Sequence, residues 1–326
     1  IVGCLSAIRL KQAGFEVTII DQAEIGTEAS WAAAGILFPL LPWDYEDLIY
    51  RLCKDSLNIY QMLSEILVKK LGCDPELKKS GMLVKQNINQ KIAIEWATKN
   101  QFKIEEKKIY NNTYFYFPDV YQIRPSKLMN ALKKLIIDLK IDIIENLKLM
   151  PIKSKNKKII NWLNNENRPI CADFYVLASG AWTGLIHQDY AEKIYPVRGQ
   201  MIQFKKSDIE LPHIIFSDNS YLLQRSDGVI IAGSTRENVG FSRTINLEAI
   251  GELENKAHDL LPDLKKVDIE SHWTGFRPGS NNNLPFIRKD HFYENLFINS
   301  GHYRYGLTMA PESANILTKL IMQESS

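Results

Sequence analysis

The chain has 326 residues, of which 45% are hydrophobic and 24% charged, and its net charge is +2. This composition is ordinary for a soluble globular protein, the length favours about two domains, and the near-neutral charge gives no electrostatic footprint for nucleic acid or an anionic membrane. The four cysteines form no Cys-x-x-Cys and lie near no histidine cluster. They argue against a disulfide scaffold or a metal site and predict a reducing, cytoplasmic compartment. The longest apolar stretch, residues 32–43, contains two prolines and is too short to span a bilayer.

The first 35 residues are typical of a dinucleotide-binding βαβ unit. Gly3 precedes a helical apolar face, and residues 17–20 form a buried-strand run that ends at Asp21. Asp21 lies 18 residues beyond Gly3, near the ~20-residue separation of a carboxylate that binds a ribose hydroxyl. The strand and the first two glycines of Gly-x-Gly-x-x-Gly are absent, so we expect an incomplete unit. Gly3 and Asp21 alone fit an α/β protein that binds no cofactor equally well.

A run of small residues, 29–35, follows this unit. Its backbone could lie flat against a large planar ligand, and Ser30 could donate to a phosphate. The alternative is an ordinary helix, which Gly35 and the prolines after it disfavour.

Hydrophobic periodicity predicts the remaining elements in chain order. Helices are predicted over residues 44–71 (one long or kinked helix), 90–98, 125–139, 247–260 and 311–322. Strands are predicted over residues 80–84, 110–121, 141–144, 174–177, 201–204, 220–225, 229–233, 267–274 and 296–299. A small antiparallel meander is predicted from residues 147–152, 158–162 and 169–172. Fully apolar strands and strands that alternate apolar with polar residues occur in turn along the chain. This interleaving indicates discontinuous domains.

Arg277 stands in Trp-Thr-Gly-Phe-Arg-Pro-Gly, residues 273–279, directly after the predicted strand 267–274. An arginine between glycines and a proline at a strand end is poorly explained as a solvated charge. Its planar guanidinium suits bidentate binding of a carboxylate. The alternative is an arginine bonded to loop carbonyls.

The segment 301–309 again joins a strand to a helix, a geometry that turns backbone N–H groups toward an anion or an electron-rich ring. We interpret His302 as a hydrogen-bonded loop histidine in preference to a general base. Arg304 could bind substrate or pair with a loop acid. Tyr221 opens a predicted strand and needs no special role on its own.

Six motifs fall in an order that resembles the D-amino-acid oxidase family of FAD-dependent oxidoreductases, and within it the glycine oxidases of the thiamine-biosynthesis type. The motifs are Ala-Ala-Ala-Gly-Ile at 32–36, Leu-Ala-Ser-Gly-Ala-Trp at 177–182, Pro-Val-Arg-Gly-Gln-Met at 196–201, Ile-Ala-Gly-Ser-Thr at 231–235, Gly-Phe-Arg-Pro at 275–278 and Gly-His-Tyr-Arg-Tyr-Gly at 301–306.

The resemblance implies a mixed α/β (α+β) fold. It has a Rossmann-like FAD-binding domain of residues 1–80, 122–196 and 272–326, whose N-terminal strand is missing. The substrate domain, residues 81–121 and 197–271, is built on a mainly antiparallel sheet. No cysteine follows Cys171, whereas relatives with covalent flavin use a cysteine near the C-terminal glycine motif, so the resemblance implies non-covalent FAD.

The resemblance also assigns residues to the cofactor and the substrate. The cofactor-binding residues would be Ile1, Val2, Gly3, Asp21, Gln22, Ala29, Ser30, Ala34, Gly35, Ile36, Lys148, His302, Tyr303, Arg304, Tyr305, Gly306, Leu307 and Thr308. Lys148 would meet the adenine through its backbone, although the family prefers valine there. Arg277, Arg304 and Tyr221 would bind the substrate, and no residue is needed as acid or base.

The implied activity is oxidative deamination of glycine or a similar small amino acid to the imino or keto acid, with O₂ reduced to H₂O₂. The resemblance to the thiamine-biosynthesis type implies use of the product in thiazole synthesis. Two alternatives stay open. One is a dehydrogenase or oxidase of the same family acting on sarcosine or other D-amino acids. The other is a flavin-free binding protein. The resemblance also points to a homo-oligomer.

Overall fold

The computed structural model describes residues 1–85, 89–109, 112–153 and 155–325. The helices of this part are α1 (Val2–Gln12), α2 (Ala29–Ala32), α3 (Asp47–Lys54), α4 (Ser56–Leu71), α5 (Gln90–Asn100), α6 (Pro125–Asp138), α7 (Thr183–Ile186), α8 (Leu247–Leu260) and α9 (Gly306–Ser325). The strands are β1 (Thr18–Ile20), β2 (Ile36–Leu37), β3 (Lys78–Lys79), β4 (Met82–Lys85), β5 (Glu105–Ile109), β6 (Asn112–Phe117), β7 (Tyr121–Gln122), β8 (Asp142–Ile144), β9 (Trp162–Leu163), β10 (Pro169–Ile170), β11 (Tyr175–Leu177), β12 (Ile194–Phe204), β13 (Ile214–Ser217), β14 (Ser220–Gln224), β15 (Ile230–Gly233), β16 (Ile269–Ser280), β17 (Phe286–Lys289) and β18 (Leu296–Ser300). Residues 110 and 111 of the predicted strand 110–121 lie outside the described residues.

An eight-stranded sheet dominates one half of the described molecule, in the order β16-β12-β15-β14-β13-β4-β6-β5. All its neighbouring pairs are antiparallel except β13 and β4. The Asp227-Gly228 turn joins β14 to β15, with Gly228 at φ +89° and its N–H donating to the carbonyl of Arg225. The mixed α/β class and the mainly antiparallel sheet are therefore confirmed.

The other half contains short parallel strands covered by helices. β1 pairs with β8, and β11 pairs with β18, both in parallel. α1 buries the apolar face that the sequence predicts and packs against α9. β1 and β11 each have one partner strand in the described part of the chain, and both line one cavity of about 2050 Å³.

The predicted meander is present only in part in the described residues. Only β9 and β10 form a ladder, and Leu149 adds a single bridge to Asn164. Most described residues between 151 and 161 are exposed, so these segments bury too little apolar surface to hold a third strand.

Two element boundaries also differ from expectation because of prolines. β16 continues past residue 274 to Ser280 and contains Pro278, which it can do because it is an edge strand of its sheet. α9 begins at Gly306 and contains Pro311. Proline cannot donate to the carbonyl of Leu307, and the hydroxyl of Tyr60 donates to that carbonyl at 2.7 Å instead.

The predicted helix 44–71 is two helices, α3 and α4, separated at Asp55. β12 and β16 both extend across the expected domain boundaries at 196/197 and 271/272. These two strands pair over most of their length, from Ile194 opposite Ser280 to Phe204 opposite Ile269. They therefore connect the large sheet directly to the region of the parallel strands.

Candidate active site

Three adjoining cavities contain the residues that the sequence singles out. The inner cavity, of about 200 Å³, lies between the start of α1, residues 29–36 and the loop after β18. The large cavity is the cavity of about 2050 Å³ described above, and it shares Ile1, Gly3, Ala29 and Ser30 with the inner cavity. The outer cavity, of about 320 Å³, meets the inner one at Arg277.

The structure brings the predicted site residues together on these cavities. The inner cavity is lined by Ile1, Val2, Gly3, Ala29, Ser30, Ala34, Gly35, Ile36, Tyr221, Arg277 and all seven residues from His302 to Thr308. Asp21, Gln22 and Lys148 line the large cavity instead. The N–H of Leu147 donates to the carbonyl of Asp21 at 3.0 Å, which holds the segment of Lys148 beside the end of β1.

The start of α1 offers an anion site at the junction of the inner and large cavities. Its N-cap position has no side-chain cap and its first turn no acidic residue. Free backbone N–H groups and the helix dipole favour a negatively charged group there. Ser30 of the small-residue run lines the inner cavity beside this helix end, together with Ile1, Val2 and Gly3.

Asp21 stands at the end of β1, with a carboxylate oxygen accepting from the N–H of Ala23 at 3.0 Å. Burial raises the pKa of this carboxyl above its ordinary value, whereas the Ala23 N–H acts in the opposite direction. Hydroxyl donors of a sugar would offset that burial.

Small residues let the walls of the inner cavity approach closely. Gly35 has φ +83° and packs directly on the carbonyl of Ile123, where any Cβ would collide with it. A Cβ on Gly275 would lie 2.6 Å from the Cβ of Ala32. The side-chain nitrogen of Trp273 donates to the carbonyl of Ala32 at 3.1 Å and fixes this contact.

The loop after β18 is held rigidly around the inner cavity. His302 is buried, its Nε2 lies 2.9 Å from the hydroxyl of Ser313, and burial lowers its pKa from 6.5 to about 3. The hydroxyl of Tyr305 donates to the carbonyl of Leu40 at 3.0 Å, and that of Thr308 to the carbonyl of Ile36 at 3.3 Å. The loop therefore presents its backbone to the cavity, with His302 neutral.

Arg277 lies inside β16, and the expectation that it follows the strand is wrong. Its Nη2 donates to the hydroxyl of Ser234 at 2.7 Å and its Nη1 to the carbonyl of Thr235 at 3.1 Å. No carboxylate among the described residues pairs with it. Burial lowers its pKa, and the positive charges of Arg304 and Arg236 act in the same direction. A bound carboxylate would satisfy this guanidinium.

Tyr221 and Arg304 line the inner cavity together with Arg277. Tyr221 lies on β14 opposite Gly233 of β15, and its buried hydroxyl is 3.7 Å from the sulfur of Met201. Arg304 has one weak side-chain partner, Asn219, at 3.3 Å. Both line the inner cavity, so both are available to a small ligand held by Arg277.

Several lining residues received no role from the sequence. These are Ala32, Ala33, Phe38, Leu40, Ala178, Gly180, Gly199, Met201, Ser234, Gly275, Pro278, Asn299 and Ser300. Gly199, Ser234 and Gly275 occur in the motifs that carry the family resemblance, so a signal for them existed. No sequence motif singled out Asn299, whose Oδ1 is buried without a hydrogen-bond partner among the described residues.

The residues present fit FAD. The uncapped start of α1 and the glycines that allow close approach, Gly35 and Gly275, line the inner cavity, as does Asn299, whose Oδ1 is buried and unpaired among the described residues. Within the described residues, that cavity is lined by no Asp, Glu, Lys or Cys. The same part of the chain contains no group of three or more His, Cys, Asp or Glu side chains that could hold a metal ion. None of its helices combines the length and apolar character needed to cross a membrane.

Comparison with known proteins agrees with this geometry. The family model described as FAD dependent oxidoreductase matches residues 1–320. The glycine oxidase of Pseudomonas putida is 31% identical, with 98% of this chain and 92% of that protein covered. The bifunctional protein ThiO/ThiG of Synechocystis is 27% identical over 99% of this chain and 50% of its own length.

The fold is also that of a solved relative. The crystal structure of glycine oxidase from Geobacillus kaustophilus superposes with a TM-score of 0.90 at 21% identity, covering 99% of this chain and 92% of that one. The fold, the residues that line the cavities and the sequence matches all indicate the same family, and the matches cover nearly the whole chain. The chain belongs to the family of FAD-dependent oxidoreductases, and FAD is its cofactor.

Proposed function

We propose that the protein oxidatively deaminates glycine or a similar small amino acid, with O₂ as the electron acceptor and H₂O₂ as a product. The observation that carries this proposal is the guanidinium of Arg277, which lines the inner cavity and has no carboxylate partner among the described residues. Such a group recognises the carboxylate of an amino acid with two parallel hydrogen bonds. The likeness to the Pseudomonas putida glycine oxidase supports glycine as the substrate.

Ser234 and Thr235 hold the guanidinium of Arg277 in place before substrate arrives. The side chain therefore loses little conformational freedom on binding. Tyr221 and Arg304 flank the bound carboxylate and fix the direction in which the α-carbon points. This positioning is the main contribution of the protein to the reaction.

The amine of the substrate binds unprotonated, since no described residue of the inner cavity is placed to take up its proton. His302 is neutral and engaged with Ser313, so it acts as a structural residue. FAD bound in this cavity would supply the redox chemistry, namely hydride acceptance and electron transfer to O₂, while Arg277, Tyr221 and Arg304 position the substrate. The imino product then hydrolyses to the keto acid and ammonia or enters thiazole synthesis, for which the likeness to ThiO/ThiG is the support.

The proposed cofactor contacts are those predicted from the sequence, with Asp21 and Gln22 at the ribose and the segment of Lys148 at the adenine. We also retain the division into an FAD-binding domain, residues 1–80, 122–196 and 272–326, and a substrate domain, residues 81–121 and 197–271. A cytoplasmic location is supported by the four cysteines, all free of disulfides. We also propose that the protein forms a homo-oligomer, for which the family resemblance is the support. Sedimentation velocity tests this proposal.

The decisive experiment uses the full-length protein purified without added flavin. We expect flavin absorbance bands, release of FAD on denaturation, and peroxide formation with glycine. A substrate panel of glycine, sarcosine and D-alanine, assayed with O₂ and with an artificial electron acceptor, distinguishes an oxidase from a dehydrogenase. Protein that binds no FAD after reconstitution would contradict the proposal and favour a flavin-free binding protein.

A further inference from the structure

The outer cavity extends the substrate site away from the proposed flavin position. It is lined by the turn between β13 and β14, residues 234–237 after β15, and one face of α8. Ser234, Arg277, Tyr303 and Arg304 line both this cavity and the inner one. A substrate held at Arg277 therefore has open space of about 320 Å³ beside it, far more than a two-carbon amino acid fills.

The outer cavity has an excess of positive charge. Four cations line it, namely Arg236, Lys256, Arg277 and Arg304, together with three carboxylates, those of Asp218, Glu237 and Glu252. Glu237 is already neutralised, because Nη2 of the buried Arg198 donates to it at 2.6 Å and Thr235 and Gln200 also donate to its carboxylate. Four cations thus face two uncommitted carboxylates.

Of these two carboxylates, Glu252 lies on α8 one turn before Lys256, and both side chains are exposed to solvent. Asp218 accepts from the hydroxyl of Ser217 at 3.1 Å. Neither carboxylate has an ion pair with Arg277, Arg304 or Arg236 in the described structure.

Arg236 is the cation that the proposed reaction does not use. It follows β15 and lines the outer cavity, and within the described residues its side chain has no hydrogen bond or ion pair. It is close enough to Arg277 for its charge to lower the pKa of that guanidinium. Two neighbouring cations without counter-ions are mutually repelled, and a dianion between them would relieve that repulsion.

We infer, building on the proposed function, that the preferred substrate is a small amine with two carboxylates, and that Arg236 is the specificity-determining residue for the second one. Arg277 binds the carboxylate next to the oxidised carbon. Arg236 binds the distal carboxylate in the outer cavity, while Arg304 lies between the two chambers. Glycine satisfies only the first of these positions.

Matched substrates test this inference without depending on absolute rates. Iminodiacetate has two carboxylates on one secondary amine, and its monoamide has the same shape with one charge removed. We expect kcat/KM for iminodiacetate to exceed that for the monoamide by about tenfold or more, and the ratio to fall when 0.5 M NaCl is added, since salt screens exposed charges.

Substitution of Arg236 identifies the residue responsible. In Arg236→Gln the ratio should fall to near one, whereas Arg236→Lys should retain part of it because the charge remains. Arg51→Gln, the same change at an exposed arginine of α3 outside the three cavities, should leave the ratio unchanged. A variant damaged in folding loses activity toward both substrates equally, so the ratio still reports the charge contact.

A binding measurement separates this inference from the proposed function. Glutarate replaces the amine of iminodiacetate by a methylene and cannot be deaminated. Calorimetry with the FAD-bound protein should give tighter binding of glutarate than of its monoamide, by about fivefold or more, and this preference should disappear in Arg236→Gln.

The outcomes are distinguishable. Oxidation of glycine with no preference between the matched pairs overturns the inference and leaves the proposed function standing. Preferential binding of glutarate without oxidation of any amine supports the dianion site and contradicts the proposed function. A preference that persists in Arg236→Gln assigns the second carboxylate to another residue and overturns the role of Arg236.

Discussion

The guanidinium of Arg277 lies directly over the Cα of Gly199, so close that a Cβ on Gly199 would overlap both Nη atoms. The two residues are on neighbouring strands, since Gly199 of β12 pairs with Gly275 of β16, two residues before Arg277. The absent side chain of Gly199 is therefore what lets the proposed substrate-binding arginine lie flat on the sheet and face the inner cavity.

The first prediction concerns this contact. Gly199→Ala should displace the guanidinium and raise KM for glycine at least about tenfold, since a misplaced charged donor loses most of its hydrogen-bond energy. FAD absorbance should remain. Gly251→Ala is the matched control, because a Cβ on Gly251 meets nothing within 4 Å and Ala favours the helix α8. An unchanged KM in Gly199→Ala would show that Arg277 does not depend on this contact.

The second prediction concerns Arg277 itself. Arg277→Lys retains the charge but loses the planar pair of donors, so KM should rise about 10- to 100-fold with bound FAD unchanged. Arg277→Ala should raise KM further. Steady-state kinetics with FAD-saturated protein measures both effects, and a lysine variant with normal KM would remove bidentate recognition from the proposal.

The third prediction separates the cofactor from the substrate. A Cβ on Gly275 would lie 2.6 Å from that of Ala32, so Gly275→Ala should push the small-residue run into the inner cavity. We expect the Kd for FAD to rise about 5- to 100-fold from this overpacking. Fluorescence titration of the apoprotein with FAD measures it, with Gly251→Ala again as the control. Normal FAD affinity together with a raised KM would place the run at the substrate instead.

The fourth prediction concerns acid stability and His302. Burial holds its pKa near 3, whereas the unfolded chain has the ordinary value of 6.5. Between these values the unfolded state binds more protons, so the free energy of unfolding falls as pH falls from about 6.5 toward 3. Down to pH 4.5 this one residue should account for a loss of about 2–3 kcal/mol.

Urea unfolding at pH 7 and pH 4.5 tests this prediction. His302→Gln should lose less stability on acidification than the unaltered protein, because glutamine does not titrate. His272→Gln, the same change at an exposed histidine of β16, should retain the full loss. Equal acid sensitivity of all three proteins would show that His302 is not buried in the neutral form.

Local sequence patterns predicted the elements that depend on local interactions. α8 runs from Leu247 to Leu260 as predicted, because its apolar spacing continues without interruption and Asn246 caps its start by accepting from the N–H groups of Glu248 and Ala249. The small-residue run and the loop after β18 were also recognisable, since glycines and a strand-to-helix junction occur within a few residues of each other.

Features set by contacts distant in the sequence could not be predicted. The predicted strand ended at residue 274, whereas β16 continues to Ser280 through Pro278, which is tolerated because β16 lies at a sheet edge. The contact between Gly199 and Arg277 depends on the register of β12 and β16, which no local pattern specifies. Arg236 resembled any exposed arginine until the structure placed it beside Arg277 in the outer cavity.

The packing of α1 against α9 has a consequence for biosynthesis. The walls of the inner cavity combine residues from the first 40 positions with residues as late as 308, and β1 pairs with β8, more than a hundred residues later. Pairings this distant are slow to form, and a chain emerging from the ribosome cannot close the inner cavity until residue 308 has been made. FAD can therefore be enclosed there only after that point, and the small-residue run stays uncovered until then.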